Sequence, residues 1–176
     1  IIQFSQLHYP DIESGYTLDD NARALIACSM HYTLYKEFKT LELLRIYLNY
    51  IKFVQNSDGK FYNFVDKNKK IDYEKWSEDA HGRTIWALGT LLKNKLLPED
   101  FKKEARSLLI KSIPICMTLH SPRAIAFSII GFCHAINDEF FNLYNKINIL
   151  AKNLLSALAK NSSEEWNWFE EYLTYS

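Results

Sequence analysis

Apolar residues recur at helical spacing in six stretches of the chain, and the segments between them are polar or carry glycine or proline. The first stretch starts at Asp19 or Asp20 and runs to about Lys36, with Ala22, Leu25, Ile26, Ser29 and Met30 falling three or four positions apart. A short carboxylate at its start can accept a hydrogen bond from the unpaired amides of the first turn. After a break near Phe38–Thr40, a second helix reaches about Val54, apolar on nearly every side, and the two predict an antiparallel hairpin. A third helix is predicted from about Asp79 to Leu92. A fourth runs from about Glu99, after Pro98, to Pro114. The fifth opens on Ser121-Pro122, a cap followed by proline in the first turn, and ends near Ala135; the sixth spans about Phe140 to Lys160. Residues 1–17 read as irregular. Gln55 to Val65 reads as a loop or short ribbon, because Ser57-Asp58-Gly59 marks a turn and alternating aromatics follow it. Residues 66–75 read as a lysine-rich, solvated excursion.

The fold class this predicts is all-α: three antiparallel hairpins in one domain, residues 1–176. The first helix of each hairpin begins alike. Thr17-Leu18-Asp19-Asp20-Asn21-Ala22-Arg23, Ser77-Glu78-Asp79-Ala80-His81-Gly82-Arg83 and Ser121-Pro122-Arg123 each join a polar cluster to an arginine and then to an apolar helix. Arg23, Arg83 and Arg123 are taken to recur in register. Their separations, about 60 and then 40 residues, do not suit a uniform solenoid. Hairpins wrapped round an axis suit them better, with the odd-numbered helices inside and their N-termini at one mouth. Two loops share an aromatic-Asn-aromatic pattern, Tyr62-Asn63-Phe64 and Trp166-Asn167-Trp168.

That mouth would gather the candidate chemistry. Asp19, Asp20, Glu78 and Asp79 precede or open helices, where acids are favoured by the helix dipole whatever the function. Two acid pairs at equivalent positions, each with an arginine nearby, also suit acid–base work on a glycosidic bond. Asp20 and Asp79 are the candidate catalytic carboxylates, and His81 the candidate proton donor or hydroxyl partner. Arg23, Arg83 and Arg123 can grip an anion with paired donors, or tie neighbouring hairpins together; the structural role is the favoured one. Trp76, Trp166 and Trp168 suit stacking on sugar rings, whereas Trp86, inside a helix, suits the core. Asp19, Glu78 and Glu170 complete the predicted substrate-binding set, with Glu171 a reserve acid.

Charge and cysteine usage narrow the class. The 21 basic and 21 acidic residues balance, so the chain lacks the basic excess that nucleic-acid binding requires. Cys28, Cys116 and Cys133 are widely spaced in apolar runs, which fits buried thiols in a reducing, cytoplasmic compartment better than a disulfide framework or a zinc site. No apolar run reaches the roughly 18 residues of a membrane span. No phosphate loop or metal motif stands out, so no cofactor and no metal is expected. The expected partner is a glycan or sugar.

Taken together, GYTLDDNARALI, QNSDGKFYNF, WSEDAHGRTIWALG, SPRAIAFSIIG and WNWFEEYLTYS resemble a bacterial family of (α/α) toroids of the six-hairpin glycosidase-like class, found beside or fused to group 1 glycosyltransferases. The resemblance implies polysaccharide or glycoconjugate metabolism. It implies no particular catalytic residue. A full toroid has about twelve helices, so three hairpins read as an incomplete domain, whose exposed apolar edges would favour self-association or contact with the rest of a longer chain. The alternative is a non-catalytic helical module serving a glycosyltransferase or another protein.

Overall fold

The computed structural model describes residues 1–2, 4–136 and 143–170. Among them are six α-helices: α1 (Leu18–Tyr35), α2 (Phe38–Phe53), α3 (Glu78–Lys93), α4 (Glu99–Cys116), α5 (Pro122–Ala135) and α6 (Leu143–Asn161). All six predicted helices are therefore present. The predicted start of the sixth, near Phe140, falls outside the described residues.

The all-α expectation needs one correction, because a small sheet accompanies the helices. Strands β1 (Ser5–Gln6) and β2 (Tyr9–Pro10) pair with each other, and β3 (Tyr16–Thr17), β4 (Phe64–Val65) and β5 (Ile71–Asp72) form an antiparallel sheet in that order. The first 17 residues are thus not wholly irregular, and the lysine-rich excursion is a hairpin arm. Its turn closes when the Asp66 carboxylate accepts from the Lys70 amide at 2.8 Å, with Lys69 in the left-handed region at φ 64°. Strands of two residues are too short to show a period of two.

Helices α1, α3 and α5 lie side by side with α3 in the middle, and α2, α4 and α6 back onto them respectively. Direction follows from the contacts. His31 near the end of α1 meets Thr40 near the start of α2 at 3.0 Å, while Tyr50 near the end of α2 donates to the Tyr16 carbonyl just before α1 at 3.0 Å. The middle position of α3 explains its composition: Ala80, His81, Gly82, Thr84, Ile85, Ala87, Leu88, Gly89 and Leu91 are all buried. The core is continuous from Leu25, Leu44, Leu48 and Ile51 through Ile85 and Leu88 to Leu109 and Phe132.

The closest helix–helix joint among the described residues lies between α3 and α5. A β-carbon at Gly89 would sit 2.1 Å from the Gly131 carbonyl oxygen, and one at Gly131 would sit 2.3 Å from that of Ile85. Gly82 is as close to Ala124. Here backbone touches backbone, with no room for a methyl group. Overpacking a joint of this kind costs typically about 1–3 kcal/mol, so Gly131→Ala is expected to destabilise by at least about that much. Chemical denaturation compared with the native chain measures it, and an unchanged midpoint would refute the close approach.

Candidate functional site

Three caps build the mouth. The hydroxyls of Thr17, Ser77 and Ser121 accept from the amides of Asp20, Ala80 and Ala124, each three residues on, so α1, α3 and α5 start with the same local geometry. Counting from these caps corrects the predicted register. Arg23 and Arg83 both stand six residues after their caps, where α5 carries Phe127; Arg123 stands two after its cap, level with Asp19 and Asp79. It therefore takes the aspartate position.

This offset produces a chain of ion pairs across the helices. Arg83 of α3 reaches Asp19 of α1, with Nε 2.5 Å from Oδ1 in a close contact that lacks the alignment of a hydrogen bond. Arg123 of α5 reaches Asp79 of α3 at 3.1 Å and Glu170 at 3.2 Å. Asp19 also pairs with the more exposed Arg23 at 2.8 Å. Phe127, in the third arginine's place, lies under the Arg83 guanidinium at 4.5 Å and stacks on Trp86, with ring centres 5.6 Å apart. Glu78 accepts from the His120 and Ser121 amides at 2.8 and 2.5 Å, holding the turn into α5. Arg83 and Arg123 thus link neighbouring helices, whereas Arg23 pairs within its own helix.

Between the starts of α1 and α3 is a polar cavity of about 240 Å³, lined by Thr17, Asp19, Asp20, Asn63, Ser77, Asp79, Ala80 and Arg83. Both candidate catalytic carboxylates line it, with Asp19 and Arg83; Arg23, Glu78 and Arg123 flank it. Three polar residues that are not among the sequence candidates, Thr17, Ser77 and Asn63, also line it, together with Ala80. The caps could have been found from the hydroxyl three residues before each small or acidic position. Asn63 belongs to the aromatic-Asn-aromatic loop, and its carbonyl accepts from the Leu18 amide at 2.8 Å, fixing the loop over the start of α1.

The acids are not equivalent. Asp79 is engaged at both oxygens, Oδ1 by the Ser121 hydroxyl at 2.7 Å and Oδ2 by Arg123. Asp20 has no basic side chain at ion-pair distance among the described residues and accepts from the Thr17 hydroxyl at 2.5 Å. Its charge, after burial, helps push the pKa of Tyr50 up.

Other candidates lie elsewhere. His81 is fully buried, so a proton-donor role at the mouth does not fit its position. Its Nδ1 accepts from the Phe61 amide at 3.4 Å, which leaves the proton on Nε2, 3.7 Å from the Cys116 sulfur. Burial first, and the Lys60 charge second, push its pKa down to about 3. Burial likewise pushes the Cys116 thiol up to about 12, so the pair is neutral core rather than a nucleophile and its base. Trp76 packs edge-on to His81, and Lys60 Nζ sits 4.3 Å from the centre of its ring, so this tryptophan is not an open stacking platform. Trp166 and Trp168 lie by Glu170 on the α5 side. The Trp166 indole donates to the Glu170 carbonyl at 2.8 Å, and Trp168 is exposed. Glu171 falls outside the described residues.

Among the described residues no group of acids, histidines and cysteines is placed to hold a metal ion. None of the described helices is long and apolar enough to cross a membrane. The chain matches no protein-family model and no curated protein.

Two outcomes follow from this geometry. Arg83→Gln is expected to cost about 1–3 kcal/mol, between the ranges for exposed and buried pairs, because Arg83 is only 13% exposed. Arg23→Gln, at a side chain 56% exposed, should cost under about 1 kcal/mol; equal losses in urea titrations would refute the difference. The second concerns pH. Unfolded His81 titrates near 6.5 and folded His81 near 3. Between these values the unfolded chain takes up a proton that the folded chain refuses. This contribution to stability is complete above about pH 6.5 and falls as the pH drops towards 3, by up to about 1.4 kcal/mol per pH unit. His81→Gln should flatten that slope in denaturation series from pH 7 to 5, and an unaltered slope would assign it to other groups.

Proposed function

We propose that this chain is a carbohydrate-active domain whose main act is binding. It holds a single sugar residue in the polar cavity between the starts of α1 and α3. The observation that carries this reading is the lining itself: three carboxylates, two hydroxyls, one amide and one guanidinium converge on about 240 Å³. Small-molecule sites usually measure about 300–1,000 Å³, so the space suits one ring better than a long chain. Mixed donors and acceptors suit a neutral ligand rich in hydroxyls, each of which both gives and takes a hydrogen bond.

The arrangement of α1, α3 and α5 in one row, backed by α2, α4 and α6, is what half of an (α/α) toroid of the six-hairpin glycosidase-like class would have. The helix starts would then form its mouth, and residues 1–176 one incomplete domain. Three free cysteines, one of them fully buried, agree with a reducing, cytoplasmic setting.

Binding is favoured over cleavage because Asp79 has both oxygens occupied, whereas a general base or nucleophile needs a lone pair aimed at its substrate. The same ion pairs favour a second reading, a non-catalytic accessory module working beside a glycosyltransferase.

A glycan-array screen with product analysis of every hit tests both. The expected result is binding without turnover. Asp20→Asn should weaken it about tenfold or more, the equivalent of about one charge-assisted hydrogen bond, with little change in stability. Slow cleavage abolished by Asp79→Asn would instead make the domain a hydrolase, and no glycan binding at all would favour the accessory module.

A further inference from the structure

At the opposite end of the same three helices is a larger cavity, about 530 Å³, within the range of small-molecule sites. It opens between the second halves of α1 and α3, the end of α5 and the turn into α4. Its walls are mostly apolar, with Ile26, Met30, Trp86 and Leu96 on them. Met30 is 61% exposed and Leu96 44%, so these apolar side chains line open space. Its charged groups are Lys93 and Lys95, both basic; the His134 ring also lines it, and no acid is among the described lining residues.

The polar frame is fixed from behind. The Asn94 side-chain amide donates to the Ser29 carbonyl at 3.1 Å and to the Thr33 hydroxyl at 3.0 Å, which locks the α3–α4 turn onto α1. The Thr90 hydroxyl donates to the Trp86 carbonyl at 2.9 Å. Its one proton is thus committed, and the His134 Nδ1–H must donate to it across 3.4 Å. That fixes the imidazole against α3. Burial first, and the Lys93 charge second, lower its pKa.

The geometry points to a site for an amphiphilic anion, a single-chain carboxylate whose tail lies along Met30, Ile26 and Trp86 and whose head group meets Lys93 and Lys95. An apolar wall beside two lysines, with no acid among the described lining residues, is complementary to such a ligand. A neutral lipid would leave the lysines unused, and a small hydrophilic anion would leave the wall wet. This inference does not depend on the sugar reading, which concerns the other end of the helices.

The chain has only two methionines, Met30 in this cavity and Met117 at the end of α4, so methyl-labelled methionine gives one reporter and one internal control. Titrating the whole chain with decanoate below its micelle-forming concentration should shift the Met30 methyl signal saturably and leave Met117 in place. Decanol, with the same tail and no charge, should bind at least about tenfold more weakly, as should Lys93→Gln/Lys95→Gln. Both lysines are exposed, so the double variant should keep its fold, and an unchanged Met117 signal checks this. A Met30 signal that stays still, that moves together with Met117, or that responds equally to decanol would overturn the proposal. So would a double variant that binds decanoate as tightly as the native chain.

Discussion

The contact on which the rest depends is the one between α3 and α5, where Gly89, Gly131 and Gly82 let two backbones touch. A side chain at any of these points would push the helices apart. Because they are close, the Ser121 hydroxyl and the Arg123 guanidinium of α5 reach Asp79 of α3. The mouth is therefore set by packing in the middle of the helices. Its ion pairs are the consequence of that packing.

The same closeness explains why one arginine position changed. Arg83 can cross to Asp19 because the facing position on α5 holds a flat ring, Phe127, on which its guanidinium rests. A third arginine there would set two like charges against each other. With the basic group moved back to two residues after the cap, Arg123 faces Asp79, and the aspartates at the starts of α1 and α3 each meet an arginine of the next inner helix. Asp20, one position further on, is left out of this scheme and keeps only a hydroxyl partner. A carboxylate left out of a structural network retains more freedom to meet a ligand than one held inside it.

The helices were legible because their apolar faces repeat over four or more turns, and caps such as Ser121-Pro122 are local chemistry. The strands were not legible. Tyr16–Thr17 gains its structure from Phe64 and Val65, some 50 residues away, and two residues carry no period. Of the candidate site, the acids at the helix starts were readable because the dipole favours them there. The fate of His81 was not. Nothing in its local sequence differs from that of a mouth residue, and only the placement of Phe61 and Cys116 over it shows that it belongs to the core. The surroundings of Trp76 are hidden for the same reason, since the Lys60 ammonium over its ring comes from a separate loop.

Parallel alignment of α1, α3 and α5 also gives the two ends opposite characters. Three positive helix ends meet at the mouth, and Asp19, Asp20, Glu78 and Asp79 gather there. Three negative ends meet at the other side, and Lys93 and His134 occupy the last turns there. Dipoles alone account for the sign of the charge at each end but not for the shape. At the mouth, the sheet and its loop bring Asn63 over the acids and make a small polar enclosure. At the far end, the α3–α4 turn is held back onto α1 by Asn94, and no side chain of the described residues fills the space before Met30 and Trp86. One row of parallel helices thus carries a polar, acid-rich cavity at one end and an apolar, basic one at the other.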